Sequence, residues 1–444
     1  MCSGYRDTQQ LRIQDESQTT KQKALTRRSR MIPQTVTSTI EYRAKNAFFS
    51  HYVSGFSKTY DILDSLYEQS SLDRHLSASV DAVSLAFFSS QFDCTKASHF
   101  AREKYSYALP LLNNALRSPE TATSDSTLLA VLLLDLFEKF TNNNPRSTDS
   151  WMSHVNGALA LVKLRNNQQF QNYTGLRLSV RLSTNLLISC VAANSPVPSA
   201  LISLRSDLEP FINKDNPKWL VSGLVVKYAN LKGAIQNGCL SGSDIIACAT
   251  ELDCEFVSLA RNMPSSGLYK TTYLEEASER VLEQHFDTYP DHFTAQTWNV
   301  LRIMRILLND IIRTYCIESP TEFSKEVTTF HMLNTAINNI DVLAKEICAT
   351  APQYTVYEDT TPTSQTNSAT QRLRCYTLLF PLYVASLYGN DTTKIKPWIN
   401  NQLRFMSDNI GIRNANFVAE TLESTRGTNP WSMYAMLGSY AFAA

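Results

Sequence analysis

The most constraining feature of this 444-residue sequence is the spacing of its apolar side chains, which repeats at helical rather than strand intervals. Leu129, Leu132, Leu133, Leu136, Phe137 and Phe140 fall at i, i+3, i+4, i+7, i+8 and i+11, which places them on one face of a helix. Ser124, Asp125 and Ser126 stand ahead of that stripe as capping side chains, and Asn142-Asn143-Asn144-Pro145 closes it, since proline cannot donate to the helical ladder. Thr148, Asp149 and Ser150 then cap a second helix with the stripe Trp151, Val155, Ala158 and Val162. So short a connection calls for antiparallel packing of the pair. Residues Thr297 to Arg313 give a further helix, with Val300, Met304, Leu307, Leu308 and Ile311 on the buried face and Arg302, Arg305, Asn309 and Arg313 off it. Ile399, Leu403, Met406 and Ile410 repeat the spacing near the end. No sustained alternation of period two occurs, so the fold class expected is all-α.

Composition agrees. Hydrophobic residues make up 43% of the chain, enough for a large core, while 13 glycines and 16 prolines are too few for a turn-rich all-β architecture. Residues 1–40 carry few large apolar side chains and the basic cluster Lys21, Lys23, Arg27, Arg28 and Arg30. They read as a flexible tail, the cluster serving either as a nuclear-import signal or as an ordinary solvated linker. Residues 41–444 read as the helical body. The polar stretch Thr355 to Gln371 reads as an exposed connector. The longest apolar run, Leu128 to Phe137, is about half the ~20 residues a membrane span needs, and Met1 to Arg30 lacks the apolar core of a secretory signal. A soluble intracellular protein is expected.

Charge and chemistry exclude more than they assign. With 41 basic and 41 acidic residues, the chain lacks the basic excess from which a protein that grips DNA unaided draws its affinity. The nine cysteines (Cys2, Cys94, Cys190, Cys239, Cys248, Cys254, Cys316, Cys348, Cys375) contain no C-x-x-C pair and are odd in number, so a reducing compartment is expected and no disulfide framework or complete zinc site is written. Most stand in apolar helical contexts and read as small hydrophobes, and Cys190, after Leu186-Leu187-Ile188-Ser189, reads as buried and inert. Gly233 and Gly238 have phosphate-loop spacing but are followed by Cys239-Leu240 and preceded by no strand. No two of His51, His75, His99, His154, His285, His292 and His331 lie four apart, as a helical metal site would require. His285, Asp287 and Asp291 read as a solvated loop around Pro290, and His154 as a structural histidine. Neither Gly242 nor Gly267 builds a nucleophile elbow with its serine neighbours. Phe48-Phe49, Phe87-Phe88 and Tyr105/Tyr107 read as core, or as the lining of a pocket between helices. No catalytic residue, cofactor or metal site is expected, and no enzyme.

The opening Cys2-Ser3-Gly4-Tyr5-Arg6-Asp7, followed by Ile13-Gln14-Asp15-Glu16-Ser17, resembles the edge of the zinc cluster in fungal binuclear zinc cluster transcription factors, with Cys2 at the place of the sixth and last ligand. Further segments resemble that family in order: Trp151-x-x-His154-x-x-Gly157-Ala158, Leu186 to Cys190 ahead of Pro196 and Pro198, Tyr289-Pro290-Asp291, Trp298-Asn299, Arg305 to Leu308, Glu346 to Gln353, Leu378 to Ala385, and Ile410-Gly411-Ile412. The resemblance implies the helical regulatory domain of a transcription regulator, a nuclear location, and control of metabolic or secondary-metabolite genes. Five of the six cluster cysteines are missing from this sequence, and one thiolate cannot hold a zinc pair. Two readings of that edge follow: the other cysteines are encoded upstream, or the regulator is reduced to its helical part. On the second, the chain carries no zinc, does not bind DNA sequence-specifically by itself, and acts through a full-length relative or co-regulators. The competing class is a helical small-molecule-binding protein or enzyme that reuses the domain.

Overall fold

The computed structural model describes residues 39–57, 60–69, 73–141, 148–165, 169–318, 326–356, 369–390, 394–424 and 429–438, with backbone alone for 68–69, 148–154 and 326–328. Cys2 and the basic cluster of residues 21–30 lie outside the described residues, as does nearly all of the 1–40 tail.

The described chain is all-α apart from one small hairpin. Helix α1 (Ile40–Ala47) begins on a Thr39 cap and runs into a wider π turn over Phe48–Val53, which buries Phe48 and Tyr52 with stacked rings 5.4 Å apart. After α2 (Leu63–Gln69), α3 (Arg74–Phe92) is buried around most of its circumference. Asp93, left-handed at φ 51°, turns it into α4 (Thr95–Arg117), whose Ala97, Ala101 and Ala108 let the two helices pack along their length. The short α5 (Pro119–Ala122) leads to α6 (Asp125–Thr141), which starts as the sequence predicts: the Thr127 amide donates 3.2 Å to the Ser124 hydroxyl. Its expected stripe is buried save for a half-buried Phe140, and Leu128, Ala130 and Leu134 are buried too, so α6 is enclosed on more than one side.

Helix α7 (Thr148–Arg165) brings its last residue to the first turn of α6, but the expected packing of the two against each other is corrected: among the described residues they do not pack along their length. Arg165 donates 2.8 Å to the carbonyls of Thr123 and Ser124 and pairs with Asp125. The long contact of α7 is with α8 (Tyr173–Ala192), which packs in turn on α6. Helices α9 (Ser199–Leu208), α10 (Pro217–Gln236) and α11 (Gly242–Arg261) lead to the C-terminal half. There α12 (His292–Glu318) and α13 (Glu326–Thr355) form the central pair, with α11 and α10 against α12. Helices α14 (Ala369–Tyr376), α15 (Leu379–Tyr388), α16 (Ile395–Asp408), α17 (Arg413–Glu423) and α18 (Pro430–Met436) complete the body, α15 wedged against α12 and α13. One continuous apolar core runs from Ala44 to Leu437.

Several expectations are corrected. An antiparallel pair, β1 (Lys270–Tyr273) with β2 (His285–Thr288), stands where no strand was expected, in the register Lys270↔Thr288 to Tyr273↔His285. Four-residue strands rich in threonine and charge carry too little apolar alternation to be legible. Helix α12 starts five residues ahead of Thr297, with Asp291 accepting 2.8 Å from the Thr294 amide. Its expected faces are partly exchanged: Val300 is 39% exposed and Arg302 is 0% exposed. Ile399, Leu403 and Met406 are buried on α16, but Ile410 lies past its end, before the turn at Gly411. Of the expected connector, Thr355 closes α13, Ala369 to Gln371 belong to α14, and residues 357–368 are outside the described ones.

Candidate functional site

Three of the segments that resemble the regulator family (Tyr289-Pro290-Asp291, Trp298-Asn299 and Glu346 to Gln353) meet at one side chain. Arg302, on α12, is enclosed by β2, α13 and the segment before β1. Its Nη1 donates 2.7 Å to the Tyr289 hydroxyl, 3.1 Å to Thr350 Oγ1 and 3.4 Å to Asn299 Oδ1, and its Nε donates 3.1 Å to Glu346. Asp287 Oδ2 lies 3.5 Å from Nη2, while its other oxygen accepts 2.7 Å from Thr271. The guanidinium carbon lies 5.4 Å from the ring centres of both Tyr269 and Trp298, and the Trp298 indole donates 2.7 Å to the Gly267 carbonyl. Gln353 locks the strand exit, donating 2.9 Å to the Tyr289 carbonyl and accepting from the Tyr289 amide.

Burial opposes the charge of Arg302, and Tyr289, Glu346 and Tyr269 outweigh it, holding the guanidinium above its ordinary range. Burial pushes the Tyr289 hydroxyl up as well. Fully enclosed, Arg302 offers nothing to a ligand. It fastens hairpin to helix pair, and a buried ion pair of this kind is costly to break from one side. The solvated loop expected at His285, Asp287 and Asp291 is corrected here. Asp287 is buried as a partner of this network, while Asp291, which caps α12, and His285 are half exposed.

The other singled-out residues fall into structural roles. Gly233 sits in the last turn of α10 and Gly238 just past its end at φ +64°, so no strand-to-helix phosphate loop exists there. Ser241 beside Gly242 caps α11, and Gly267 lies in the turn that takes the Trp298 indole. His292 stacks 4.7 Å from Phe56 and binds its carbonyl at 2.9 Å. His75 contacts Thr127 Oγ1 at 3.2 Å, and burial pushes it below its ordinary range. The side chains of Trp151 and His154 lie outside the described residues. No group of three or more potential metal ligands occurs among the described residues.

Cys190 is buried and its thiol is pushed up to about 11 by that burial. Cys316, Cys348 and Cys375 are buried too, whereas Cys239, Cys248 and Cys254 are exposed, so the reading as small hydrophobes does not extend to these three. The helix positions of Cys248 and Cys254 fall on the outer face of α11, which apolar content alone does not reveal. Phe48, Phe87 and Phe88 are core; Tyr105 stacks on Phe137 at 4.3 Å, whereas Tyr107 is exposed and accepts from Arg74.

Sequence reasoning missed Arg302, Arg305 and Asp253. Arg305 grips Asp253 of α11 at 2.7 and 3.2 Å. The signal that was available is that Trp298, Arg302 and Arg305 share a helix face at i, i+4 and i+7.

The fold and these contacts define a class: an all-helical body with one core, held by internal polar fasteners. Among the described residues no helix is long and apolar enough to cross a membrane. Residues 38–196, somewhat over a third of the chain, match the family described as the fungal specific transcription factor domain. An uncharacterized protein of Emericella nidulans is 35% identical over 96 residues, 22% of this chain. That stretch spans a fifth of the relative's length. No solved structure matches the chain.

Proposed function

We propose that this chain is a fungal transcription regulator, and that its helical body is the regulatory part that meets other proteins rather than DNA. The observation that carries this reading is the match of residues 38–196 to the fungal specific transcription factor domain. The ordered resemblances beyond residue 196 support it, as does the balance of 41 basic and 41 acidic residues, which leaves no basic excess for unaided DNA binding. Of the six ligands the resembled cluster uses, these 444 residues supply Cys2 alone and cannot hold a zinc pair by themselves. Sequence-specific DNA recognition therefore comes either from cysteines encoded upstream or from a partner, a full-length relative or a co-regulator bound to one. The regulator acts in the nucleus, on metabolic genes including secondary-metabolite clusters, and performs no catalysis.

The test has two parts. The chain fused to an unrelated DNA-binding domain is expected to change expression of a reporter carrying that domain's site, and the tagged chain to accumulate in fungal nuclei. Purified protein is expected to hold no stoichiometric zinc and to shift no promoter fragment. An inert fusion with cytoplasmic localisation would overturn the regulatory reading; stoichiometric zinc with a specific shift would overturn the division of labour.

A further inference from the structure

A cleft of about 350 Å³ lies between the α3–α4 pair and a wall made by α14, the turn into α17 and the end of α18. Four cations line it (Arg102, Lys139, Arg372 and Arg413) against one acid, Asp93. Two of the four have carboxylate partners. Arg413 donates to both oxygens of Asp93, at 2.6 and 2.5 Å, and Lys139, at the end of α6, donates 2.5 Å to Asp135 one turn earlier on the same helix. The other two have none among the described residues. Arg102 is exposed on α4, and Arg372 on α14 rests its guanidinium 5.8 Å from the Phe92 ring with its buried Nε lacking any acceptor. Ser89, Ser98, Thr141 and Asn414 add hydrogen-bonding groups, while Ala86, Phe140, Ile412 and Leu437 supply a smaller apolar share of the lining.

A cleft this polar does not suit an apolar helix, and its volume falls in the range of small-molecule sites rather than that of a nucleic-acid groove. Guanidinium groups with open donors match phosphate and carboxylate oxygens in geometry and charge. We infer that the cleft between α3–α4 and α14–α17 binds a small oxyanion, a phosphoryl or multi-carboxylate compound, held between Arg372 and Arg102. Asp93 competes with the anion for Arg413, so the pair opens when the ligand arrives.

The experiment is calorimetric titration of the full 444-residue protein with pyrophosphate and, separately, with citrate, against sodium chloride at matched ionic strength. Saturable one-to-one binding of at least one probe is expected, and the preferred probe distinguishes phosphoryl from carboxylate chemistry. Arg372→Gln is expected to weaken it at least tenfold and Arg102→Gln severalfold, while Asp93→Asn tightens it by freeing Arg413. Should Arg372→Gln lose its helical circular dichroism, the exposed Arg102 and Asp93 variants decide. No saturable heat with either probe, or affinities indifferent to Arg102→Gln and Asp93→Asn, would overturn the site. The titration reads binding alone, so its result is separate from that of the transcriptional reading.

Discussion

Gly233 of α10 passes against Pro196 so closely that a β-carbon at 233 would sit 2.6 Å from the proline nitrogen and ring. The glycine is required by this contact between a helix and the connector after α8. Gly223, ten residues earlier on the same helix, has nothing within 4 Å of that position. Gly233→Ala is therefore expected to destabilise by about 1–3 kcal/mol through overpacking. Gly223→Ala should leave stability unchanged or raise it by about 0.5–1 kcal/mol, since alanine loses less entropy in a helix. Urea midpoints of the two variants should move in opposite directions, and parallel shifts would refute the close approach.

Arg302→Leu leaves Asp287 buried beside Thr271 and Tyr289 without its cation. A loss of about 3–5 kcal/mol is expected, as for other buried pairs broken from one side. Arg302→Lys should recover little, because one ammonium cannot reach the Glu346, Tyr289 and Thr350 positions that the planar guanidinium spans. Equal stability of the Lys variant and the parent in equilibrium unfolding would sink this account.

Lys218 stands in the first turn of α10, where the helix dipole disfavours a cation. Burial first, then Arg181 and Arg177, push its ammonium down to about 7 from an ordinary 10.5. Between those values the unfolded chain holds a proton that the folded chain has released. The contribution of this group to stability therefore rises with pH across that window and is lost as pH falls toward 7. Lys218→Met is expected to be more stable than the parent at pH 7 and to flatten the rise toward pH 9. The slope removed is below the ~1.4 kcal/mol per pH unit that a single proton allows. A parent and variant with parallel pH profiles would contradict it.

Native alkylation followed by peptide mass spectrometry should mark Cys239, Cys248 and Cys254 within the time that leaves Cys190 and Cys348 untouched. Burial raises both buried thiols and so removes the thiolate that reacts. Fast modification of Cys190 or Cys348 in folded protein would mean that the core around α8 or α13 opens readily.

The helices of this fold were legible because their apolar spacing is dense: α6, its Ser124 cap and the buried run of α16 stand where periodicity puts them. What was not legible is the exchange of faces on α12. Periodicity treats an arginine as a solvent marker, yet α12 is packed by α11, α13 and α15, so Arg302 is solvated by Tyr289, Thr350 and Glu346 in place of water. Those partners lie 13 to 48 residues away, beyond any local window. The order of the family-like segments was readable; that three of them meet around one guanidinium was not. The tail residues, with Cys2 and the basic cluster, lie outside what the structure describes.

The contact between His292 and the Phe56 carbonyl joins positions 236 residues apart, and Arg413 reaches back 320 residues to Asp93. During synthesis, then, the Phe56 carbonyl just past the π turn waits for α12 to supply His292, and the α3–α4 corner waits for nearly the whole polypeptide. Closing such distant contacts late is slow and leaves apolar faces bare in the interval. The stretch 38–196 is thus one arc of a ring whose closing links arrive last, and a ribosome halted at its end would hold an unfinished core.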